Sequence, residues 1–246
     1  MAIEDKRVII ITGGARGIGA DIARRLASDG HQVVINYANS RESAESLVEE
    51  IEAQGGVALA VAADVTRPAD VTQLFEAASQ RLGRVDGLVN NAGTLSMVPL
   101  AESSDSDYDH HFDTNVRGTF NTLREAASRL EDGGRIVNLS SSALALNLPG
   151  YGLYNATKAA VESLTKVFAG ELRGRRITVN AVAPGPVDTA LFRRGKSAEQ
   201  IESFAKKPPL ERLGEPKDIA AIVSFLMRAE SEWINAQVIR ANGGFA

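Results

Sequence analysis

Short β-branched segments alternate with longer helical patterns along almost the whole chain. Helical periodicity covers residues 17–29, 40–54, 68–82, 105–131, 151–173 and 216–228. The apolar segments between and around them are RVIIIT from 7, HQVVINY from 31, VALAVAAD from 57, VDGLVNN from 85, GRIVNLSS from 134, RITVNAVAP from 176 and AQVIRAN from 236. This alternation predicts an α/β fold with a doubly wound parallel sheet of about seven strands and helices on both faces.

The domain organisation follows from the same pattern. No internal repeat, low-complexity tract or linker interrupts the 246 residues, so we expect a single domain over residues 1–246. Residues 184–215 break the alternation with Pro and Gly turns, a short helical piece and a Pro-Pro pair. Long excursions often cover binding sites, so this segment is predicted to be a substrate lid. The alternative is a surface excursion that packs on a neighbouring subunit.

Composition excludes several classes of function. The formal net charge of −4 gives no electrostatic reason to bind nucleic acid or an anionic membrane. The chain has no cysteine, which excludes disulfides and thiolate nucleophiles and favours a reducing compartment. The opening MAIEDKRVIIITGG holds only a short apolar run, so we expect no signal peptide and a cytoplasmic protein.

His110 and His111 are adjacent and therefore form a poor metal pair, and no metal site is predicted.

A glycine-rich turn, TGGARGIG, follows the first predicted strand directly. Gly13, Gly17 and Gly19 precede the helical ADIARRLASDG, so the backbone there can approach a pyrophosphate closely, beside the amides of a helix N-terminus. This arrangement predicts a dinucleotide site in a Rossmann-type fold. The alternative is a glycine turn that serves only tight packing.

The end of the second strand predicts which dinucleotide is preferred. Here the chain runs VVINYANSRES, with Asn36 where an acidic side chain would accept the ribose 2′-hydroxyl of NAD. Arg16 lies inside the glycine turn, and Ser40 and Arg41 are nearby, so a cation is available for a 2′-phosphate. NADP(H) is therefore the predicted cofactor, unless Arg16 and Arg41 are merely solvated.

A tyrosine and a lysine open the helical stretch YNATKAAVESLTK. Tyr154 and Lys158 are four residues apart and therefore share one face of a helix, an arrangement that suits an acid/base tyrosine. Ser141 ends the fifth strand 13 residues earlier and could meet that phenol, although serines there are usually turn formers. Asn115 lies inside a helical pattern, where asparagine is a poor helix former.

Taken in order, these motifs resemble the short-chain dehydrogenase/reductase family in its compact form. The resemblance covers nearly the whole chain and rests on TGGARGIG, AADV at 62–65, NNAG at 90–93, the Asn of TNVRG, NLSSS, YNATK, VNAVAPGPVDT at 179–189 and the closing NGG. The stretch SSSALALNLPGYGLYNATKAAVE, with RLGEP and ANGG, is most similar to trihydroxynaphthalene-reductase-like and NADPH-dependent aldehyde-reductase-like members.

The resemblance implies a catalytic role for four residues. Tyr154 would be the general acid in carbonyl reduction, or the base in the reverse direction, and Lys158 would lower its pKa and hold the nicotinamide ribose. Ser141 would bind the substrate oxygen, and Asn115 would support a water that links Lys158 to solvent.

The resemblance also implies binding residues, with Asp64 at the adenine, Asn91 at the cofactor ribose, and Val187 and Thr189 at the nicotinamide amide. The cofactor-binding set is Gly13, Arg16, Gly17, Ile18, Gly19, Asn36, Tyr37, Ala38, Asn39, Ser40, Asp64, Val65, Asn91, Ala92, Gly93, Tyr154, Lys158, Pro184, Gly185, Val187 and Thr189. The substrate pocket is predicted to involve Leu95, Met97, Ala143, Leu144 and Tyr151. Two positions depart from the family pattern: Ala236, where a glycine is more usual, and Asn242, where an acid is.

These inferences predict an NADPH-dependent reductase of small aldehydes or ketones that assembles as a homotetramer. In the tetramer, helices 105–131 and 151–173 would pair across one interface and the last strand across another. An alternative enzyme is a 3-oxoacyl-[acyl-carrier-protein] reductase, for which a basic docking surface could come from Arg124, Arg129, Arg173, Arg175 and Arg176. A different class is a non-catalytic NADP-sensing protein, against which the presence of Tyr154 and Lys158 argues.

Overall fold

The computed structural model describes residues 6–246 and contains one seven-stranded parallel sheet. Residues 1–5, the start of the segment in which we expect no signal peptide, lie outside the described residues. The strands are β1 (Val8–Ile11), β2 (Gln32–Tyr37), β3 (Val57–Ala62), β4 (Val85–Asn90), β5 (Leu130–Leu139), β6 (Thr178–Pro184) and β7 (Val238–Ala241). Their spatial order is β3-β2-β1-β4-β5-β6-β7, which confirms the predicted doubly wound fold. The order reverses between β1 and β4, where such sheets bind ligands at their carboxyl ends.

The helices cover both faces of this sheet. They are α1 (Gly17–Ser28), α2 (Arg41–Ala53), α3 (Pro68–Leu82), α4 (Asp105–Phe112), α5 (Gly118–Arg129), α6 (Ala143–Leu146), α7 (Gly152–Glu171), α8 (Ala190–Arg193), α9 (Ala198–Lys206) and α10 (Pro216–Met227). Alternate residues of the strands point to opposite faces, so each strand contributes to two hydrophobic clusters. In β1, Ile9 and Ile11 join the cluster beneath α1 and α10, while Val8 and Ile10 join the cluster beneath α3 and α5.

The region predicted as one helix over 105–131 is divided in the structure. A π-helical segment, Asp113–Arg117, separates α4 from α5, and β5 already begins at Leu130. Leu130 pairs with Val85 in β4 and is buried, so sheet pairing overrides the helical periodicity at that end. The prediction that the helix continues through residues 130 and 131 is therefore wrong.

The described residues were also searched for membrane-spanning helices and for clusters of metal ligands. No helix within residues 6–246 is both long and apolar enough to cross a membrane. Across the same residues, no group of three or more His, Asp or Glu side chains is placed to hold a metal ion.

Candidate active site

The glycine turn connects β1 to α1 and is fixed from the side by β4. Gly13 has a φ of +59°, and a Cβ on Gly19 would lie 2.5 Å from the Nδ2 atom of Asn91, so neither position accepts a side chain. That same Nδ2 donates to the carbonyl oxygens of Thr12 (3.0 Å) and Gly13 (2.9 Å). The side chain of Asn91 thus supports the turn that was predicted to hold a pyrophosphate.

Asn36 lies beneath the glycine turn, where its side chain is 2% exposed. Its Oδ1 accepts from the Gly13 amide (3.3 Å), and its Nδ2 donates to the carbonyl of Ala63 (2.9 Å). These bonds tie the turn to the end of β3. The side chain of Asn36 thus supports the turn of the predicted cofactor site from below.

The surface above Asn36 carries the predicted cation. Arg16 is exposed and makes no ion pair or side-chain hydrogen bond with any residue from 6 to 246. Arg41, by contrast, pairs with Glu45 at 2.8 Å and is turned along α2. Of the predicted residues, Tyr37 ends β2, while Ala38, Asn39 and Ser40 form the turn before α2; none of the four is a carboxylate.

Three consecutive residues at the end of β5 contact three successive turns of α7. The Nζ of Lys158 donates to the carbonyl of Leu139 at 2.7 Å. The Oγ of Ser140 donates to Glu162 Oε1, also at 2.7 Å. The Ser141 hydroxyl faces the Tyr154 phenol across the cleft floor and lowers the pKa of that phenol. Tyr154, Lys158 and Glu162 lie four residues apart and so share one helix face, which fixes α7 against β5 in a single register. We call this arrangement the catalytic floor.

Tyr154 and Lys158 have shifted pKa values of different origin. Burial of Lys158, which is 5% exposed, lowers the pKa of its ammonium from 10.5 to about 8. Burial raises the pKa of the Tyr154 phenol, and the Ser141 hydroxyl opposes that rise without cancelling it. Burial is the largest of these effects, so the pKa of Tyr154 is raised and not lowered as predicted. The Lys158 ammonium donates to the Leu139 carbonyl and lies 5.7 Å from the phenol ring centroid.

Asn115 sits in the π-helical segment, which accounts for an asparagine at a position predicted as helical. Its Oδ1 accepts from the Thr94 amide (2.8 Å), and its Nδ2 donates to the Thr94 carbonyl and to Thr157 Oγ1, both at 3.0 Å. Thr157 in turn donates to the carbonyl of Tyr154 at 2.7 Å. Asn115 thus positions the start of α7, and π segments inside helices are frequent at functional sites.

Gly93 leaves an opening above this network. A Cβ at this position would lie 3.2 Å from Asn115 Oδ1 and 3.6 Å from Lys158 Nζ. The missing side chain therefore brings the buried amide and ammonium within reach of the cleft above them.

The catalytic floor opens into a cleft of about 900 Å³ that is partly open to solvent. Two short helices, α8 and α9, contribute to its lining, and Phe192 meets Phe204 edge-on with ring centroids 5.5 Å apart. Phe204 also contacts Phe245, with centroids 6.2 Å apart. The lining residues are Ile18, Asn91, Gly93, Thr94, Leu95, Leu139, Ser140, Ser141, Ser142, Ala143, Leu146, Leu148, Tyr151, Tyr154, Lys158, Pro184, Gly185, Pro186, Val187, Thr189, Leu191, Phe192, Phe204 and Phe245. Lys158 is the only charged side chain among them.

Two predicted pocket residues do not line this cleft. Leu144 lies on α6 between Ala143 and Leu146, which are three residues apart and share the face toward the cleft, so Leu144 points elsewhere. Met97 is 36% exposed and packs near Gly195 outside the lining. Leu95, Ala143 and Tyr151 line the cleft as predicted.

Sequence reasoning missed the aromatic wall of this cleft and the carboxylate of the floor. The helical pattern of AEQIESFAK gave a signal for Phe204, and the spacing of four from Lys158 gave one for Glu162. Phe245 carried no local signal, because it reaches the cleft through the tertiary fold.

The other predicted cofactor residues lie along the carboxyl edge of the sheet. Ile18, Pro184, Gly185, Val187 and Thr189 line the cleft. Farther along the edge, Asp64 accepts from the Thr66 amide at 2.9 Å, and Val65 packs where a Cβ on Gly118 would clash. Ala92 donates its amide to Thr12 Oγ1 at 3.0 Å. The structure therefore brings the predicted set to one edge, although several side chains serve the protein itself.

The adjacent histidines hold the loop beside the cleft. His111 is buried, and its Nδ1 lies 2.7 Å from the Asp107 carbonyl, while the Ser96 amide donates to its Nε2 at 3.1 Å. His110 contacts Thr94 Oγ1 at 3.0 Å. Both rings therefore support the segment that carries Thr94 and Leu95.

Comparison with known proteins places the chain in a family. A family model described as Enoyl-(Acyl carrier protein) reductase matches residues 13–246. A Picea abies protein named short-chain type dehydrogenase/reductase is 47% identical, over 97% of this chain and 92% of that protein. The chain belongs to the short-chain dehydrogenase/reductase family. It is therefore an oxidoreductase of that family, as the ordered motifs predicted.

The names of two further similar proteins mention the cofactor NADPH. An Arabidopsis thaliana protein named NADPH-dependent aldehyde reductase-like protein, chloroplastic, is 43% identical over 97% of this chain and 94% of that protein. A blue fluorescent protein from a metagenomic library, solved in complex with NADPH, has a TM-score of 0.93 and 38% identity and covers both chains fully. Other relatives are named hydroxynaphthalene reductase-like, so both predicted likenesses within the family are confirmed.

Proposed function

We propose that this chain is an NADPH-dependent reductase that converts an aldehyde or ketone into an alcohol. The observation that carries the proposal is that the side chains of Ser141 and Tyr154 converge beside a buried Lys158 at the floor of an apolar cleft. Two hydroxyls that converge on one point can receive a single carbonyl oxygen, and the apolar walls exclude the water that would compete for them.

The residues at the carboxyl edge fit a dinucleotide. The glycine turn supplies a backbone surface without side chains, and Gly185, Val187 and Thr189 form the cleft wall where a nicotinamide would lie. Arg16 is exposed and unpaired within residues 6–246, and no carboxylate lies at residues 37–40, which suits a 2′-phosphate. When bound, the cofactor supplies the hydride; the names of the NADPH-dependent relative and of the NADPH complex support this choice.

The protein's own residues supply orientation and a proton. The Ser141 hydroxyl donates a hydrogen bond to the substrate oxygen and stabilises the negative charge that develops there. Tyr154, kept neutral by its raised pKa, donates its proton to the same oxygen. The Lys158 ammonium below lies 5.7 Å from the phenol ring, where its charge favours the phenolate left behind. Asn115 and Thr157 fix the backbone that carries Tyr154.

The alternative of a carrier-protein-linked substrate receives less support. Arg129 is near the start of β5, and Arg175 and Arg176 shortly precede β6, so these three lie at the amino edge of the sheet, opposite the cleft. Arg129 also pairs with Glu125 at 2.7 Å, and Arg175 with Asp132 at 2.8 Å. An acidic carrier protein would have to dock near the cleft mouth to deliver its thioester.

The non-catalytic alternative is also weaker. A binding protein gains nothing from a lysine buried at the floor of its cleft, since burial destabilises the ammonium. A perturbed lysine beside a tyrosine in a cleft is typical of a catalytic site.

Assembly and location belong to the same proposal. We infer a homotetramer of one-domain subunits, each with residues 184–215 as its lid. The exposed apolar side chains of Phe120 on α5 and Val167 on α7 support an interface on these helices, and Trp233, which is 99% exposed beside β7, supports a second one. The cytoplasmic location remains a prediction. Light scattering at micromolar concentration tests the assembly, and a monomer would contradict it.

The experiment that tests the proposed activity follows absorbance at 340 nm with the purified chain. NADPH and NADH are offered separately with aldehydes, ketones, an acetoacetyl thioester and a crotonyl thioester. We expect NADPH oxidation with the ketones and aldehydes. Consumption with the acetoacetyl thioester alone would favour the carrier-protein alternative, and reduction of the crotonyl double bond alone would assign an enoyl reductase. Binding of NADPH without oxidation by any substrate would favour the sensing protein.

A further inference from the structure

Asn242 directly follows β7 and fixes the course of residues 242–246, which we call the tail. Its Nδ2 donates to Ser142 Oγ at 3.0 Å and to the carbonyl oxygen of Ala246 at 2.9 Å. Its Oδ1 accepts from the Gly244 amide at 3.0 Å. Because a backbone amide can only donate, this last bond fixes which way the side chain of Asn242 is turned. Both N–H groups and the oxygen of that side chain are therefore paired.

A carboxylate at position 242 could not make the same bonds. The hydroxyl of Ser142 already donates to the Ala183 carbonyl at 2.8 Å, so its oxygen is left to accept from Asn242. The Ala246 carbonyl can only accept. A carboxylate would face these two acceptors without a proton to donate, and a polar pair without a shared proton is unfavourable. The course of the tail thus requires an amide at this position.

The tail packs against the end of the predicted lid. Gly243 and Gly244 have φ values of +64° and +86°, a left-handed backbone that glycine adopts without strain. A Cβ on Gly243 would lie 3.4 Å from Pro208, and one on Gly244 would lie 3.1 Å from Pro209. This close packing brings the ring of Phe245 to the wall of the catalytic cleft.

The tail lies between two clefts. Phe245 lines the catalytic cleft, whereas residues 242–244 line a second cleft of about 780 Å³, which is also partly open to solvent. Residues 185–187 line both. Displacement of the tail would therefore widen the space above the catalytic floor.

We propose that Asn242 is a positioning residue that determines how large a substrate the catalytic cleft accepts. It does not line that cleft and acts through the tail, which it ties to Ser142. With the tail held there, Phe245 narrows the cleft, and a compact ketone gains contacts that a bulky one cannot make. The inference rests on the proposed function, since it names a residue that selects the substrate of the same site.

The test compares a compact and a bulky ketone that carry the same reacting group, cyclohexanone and 4-phenylcyclohexanone. Asn242→Asp replaces the amide by a carboxylate of nearly the same shape. Phe245→Ala removes the ring that the tail carries, and the double variant combines both changes. Gln54→Glu is the matched control, because it makes the same change of charge at the exposed C-terminal end of α2. NADPH oxidation gives kcat and KM for each ketone.

We expect Asn242→Asp to raise the KM for cyclohexanone about fivefold with kcat within about twofold, because the floor that performs the chemistry is unchanged. The KM for 4-phenylcyclohexanone should not rise, so the preference for the compact ketone falls about fivefold. Phe245→Ala should cause the same fall, the double variant no further one, and Gln54→Glu none. An unchanged preference in Asn242→Asp would overturn the inference, as would an equal loss of kcat for both ketones.

Amide hydrogen exchange separates this inference from the proposed function. The Phe245 amide donates to the Asn242 carbonyl at 3.1 Å within the tail. Exchange in the peptide that contains the tail should be about fivefold faster in Asn242→Asp than in the wild type, and unchanged in Gln54→Glu. If the wild type reduces neither ketone, the proposed function fails for these substrates, and the exchange rates alone decide whether Asn242 positions the tail. Equal rates in the wild type and Asn242→Asp would overturn that role.

Discussion

The catalytic floor and the lid are held together by different kinds of interaction. Behind the floor, Asn138 links Asn90 (2.8 Å) to Thr165 (2.9 Å), and Thr122 donates to Asn90 at 2.7 Å, all buried. The lid instead relies on stacked aromatic rings and on exposed ion pairs such as Asp188 with Arg193. Buried, fully paired polar networks specify one arrangement, whereas exposed pairs contribute little. The comparison indicates a rigid site for chemistry beneath an adaptable site for the substrate.

The largest expected effect tests the chemical half of this comparison. Tyr154→Phe removes the proton donor and should lower kcat by about 10²–10⁴-fold, the usual contribution of a general acid. NADPH binding, measured by calorimetry, should change little because the ring and α7 remain. A variant that keeps more than half of the wild-type kcat would assign the proton to another group.

The pH dependence separates the two groups of the floor. Burial raises the Tyr154 pKa, so the phenol stays protonated across the neutral range, whereas the Lys158 ammonium has a pKa of about 8. Reduction should therefore be constant below that value and decline about tenfold per unit above it, as the lysine loses its charge. The measurement is kcat/KM for ketone reduction between about pH 6 and pH 10. A profile that is flat to the alkaline end would show that the charge on Lys158 is not required.

The lid half is tested by a single aromatic ring. Phe192→Ala removes a wall of the cleft and should raise KM about tenfold with kcat within about threefold, because uniform binding is lost. Leu210→Ala is the matched control: this residue belongs to the same excursion but is 63% exposed and does not line the catalytic cleft. Steady-state kinetics with one ketone measures both. A fall in kcat with unchanged KM in Phe192→Ala would mean that the lid also takes part in the chemistry.

Glu162 also tests the floor, but the expected fall in kcat is smaller than that for Tyr154→Phe. Glu162→Ala breaks its bond to Ser140 and should reduce kcat about tenfold without raising KM, because the register of α7 on β5 loosens. Glu162→Gln keeps an accepting oxygen and should recover most of the rate. The matched control is Glu171→Ala, at the exposed C-terminal end of the same helix, for which no change is expected. Equal kcat values for the two alanine variants would show that Glu162 does not contribute to the geometry of the floor.

The smallest effect is expected far from both regions. Ala236 has a φ of +59°, in the left-handed region that costs a non-glycine residue about 1–2 kcal/mol. Glycine relieves this strain but loses about 0.4–1 kcal/mol through the freedom of the unfolded chain. Ala236→Gly should therefore raise the free energy of unfolding by roughly 0.5–1 kcal/mol and leave kcat and KM unchanged. Urea unfolding measures the free energy of unfolding, and a lower midpoint for Ala236→Gly would contradict the prediction.

Much of this architecture could be predicted from the sequence because its signals are local. Strand periodicity located all seven strands, and the ordered motifs identified the family together with Ser141, Tyr154 and Lys158. The sequence does not reveal which hydrogen-bond pattern a helical segment adopts. The π-helical segment Asp113–Arg117 has the same apolar spacing as an ordinary helix.

Long-range packing set the other limits. The bonds by which the side chains of Asn36 and Asn91 hold the glycine turn join residues 23 and 79 positions apart, so the sequence did not reveal them. The Tyr154 pKa is raised because the phenol is buried, and the sequence alone does not reveal how deeply a side chain is buried. Phe245 enters the cleft only because the chain returns to it after β7.

The most direct test of hydride transfer uses NADPH that carries deuterium at both C4 positions. The wild-type chain is incubated with this cofactor and a ketone that it reduces, and the alcohol is analysed by mass spectrometry and NMR. We expect one deuterium on the carbinol carbon of the product and none in the product made with unlabelled cofactor. An alcohol without deuterium, or label on a former C=C carbon, would contradict the assignment of this chain as a carbonyl reductase.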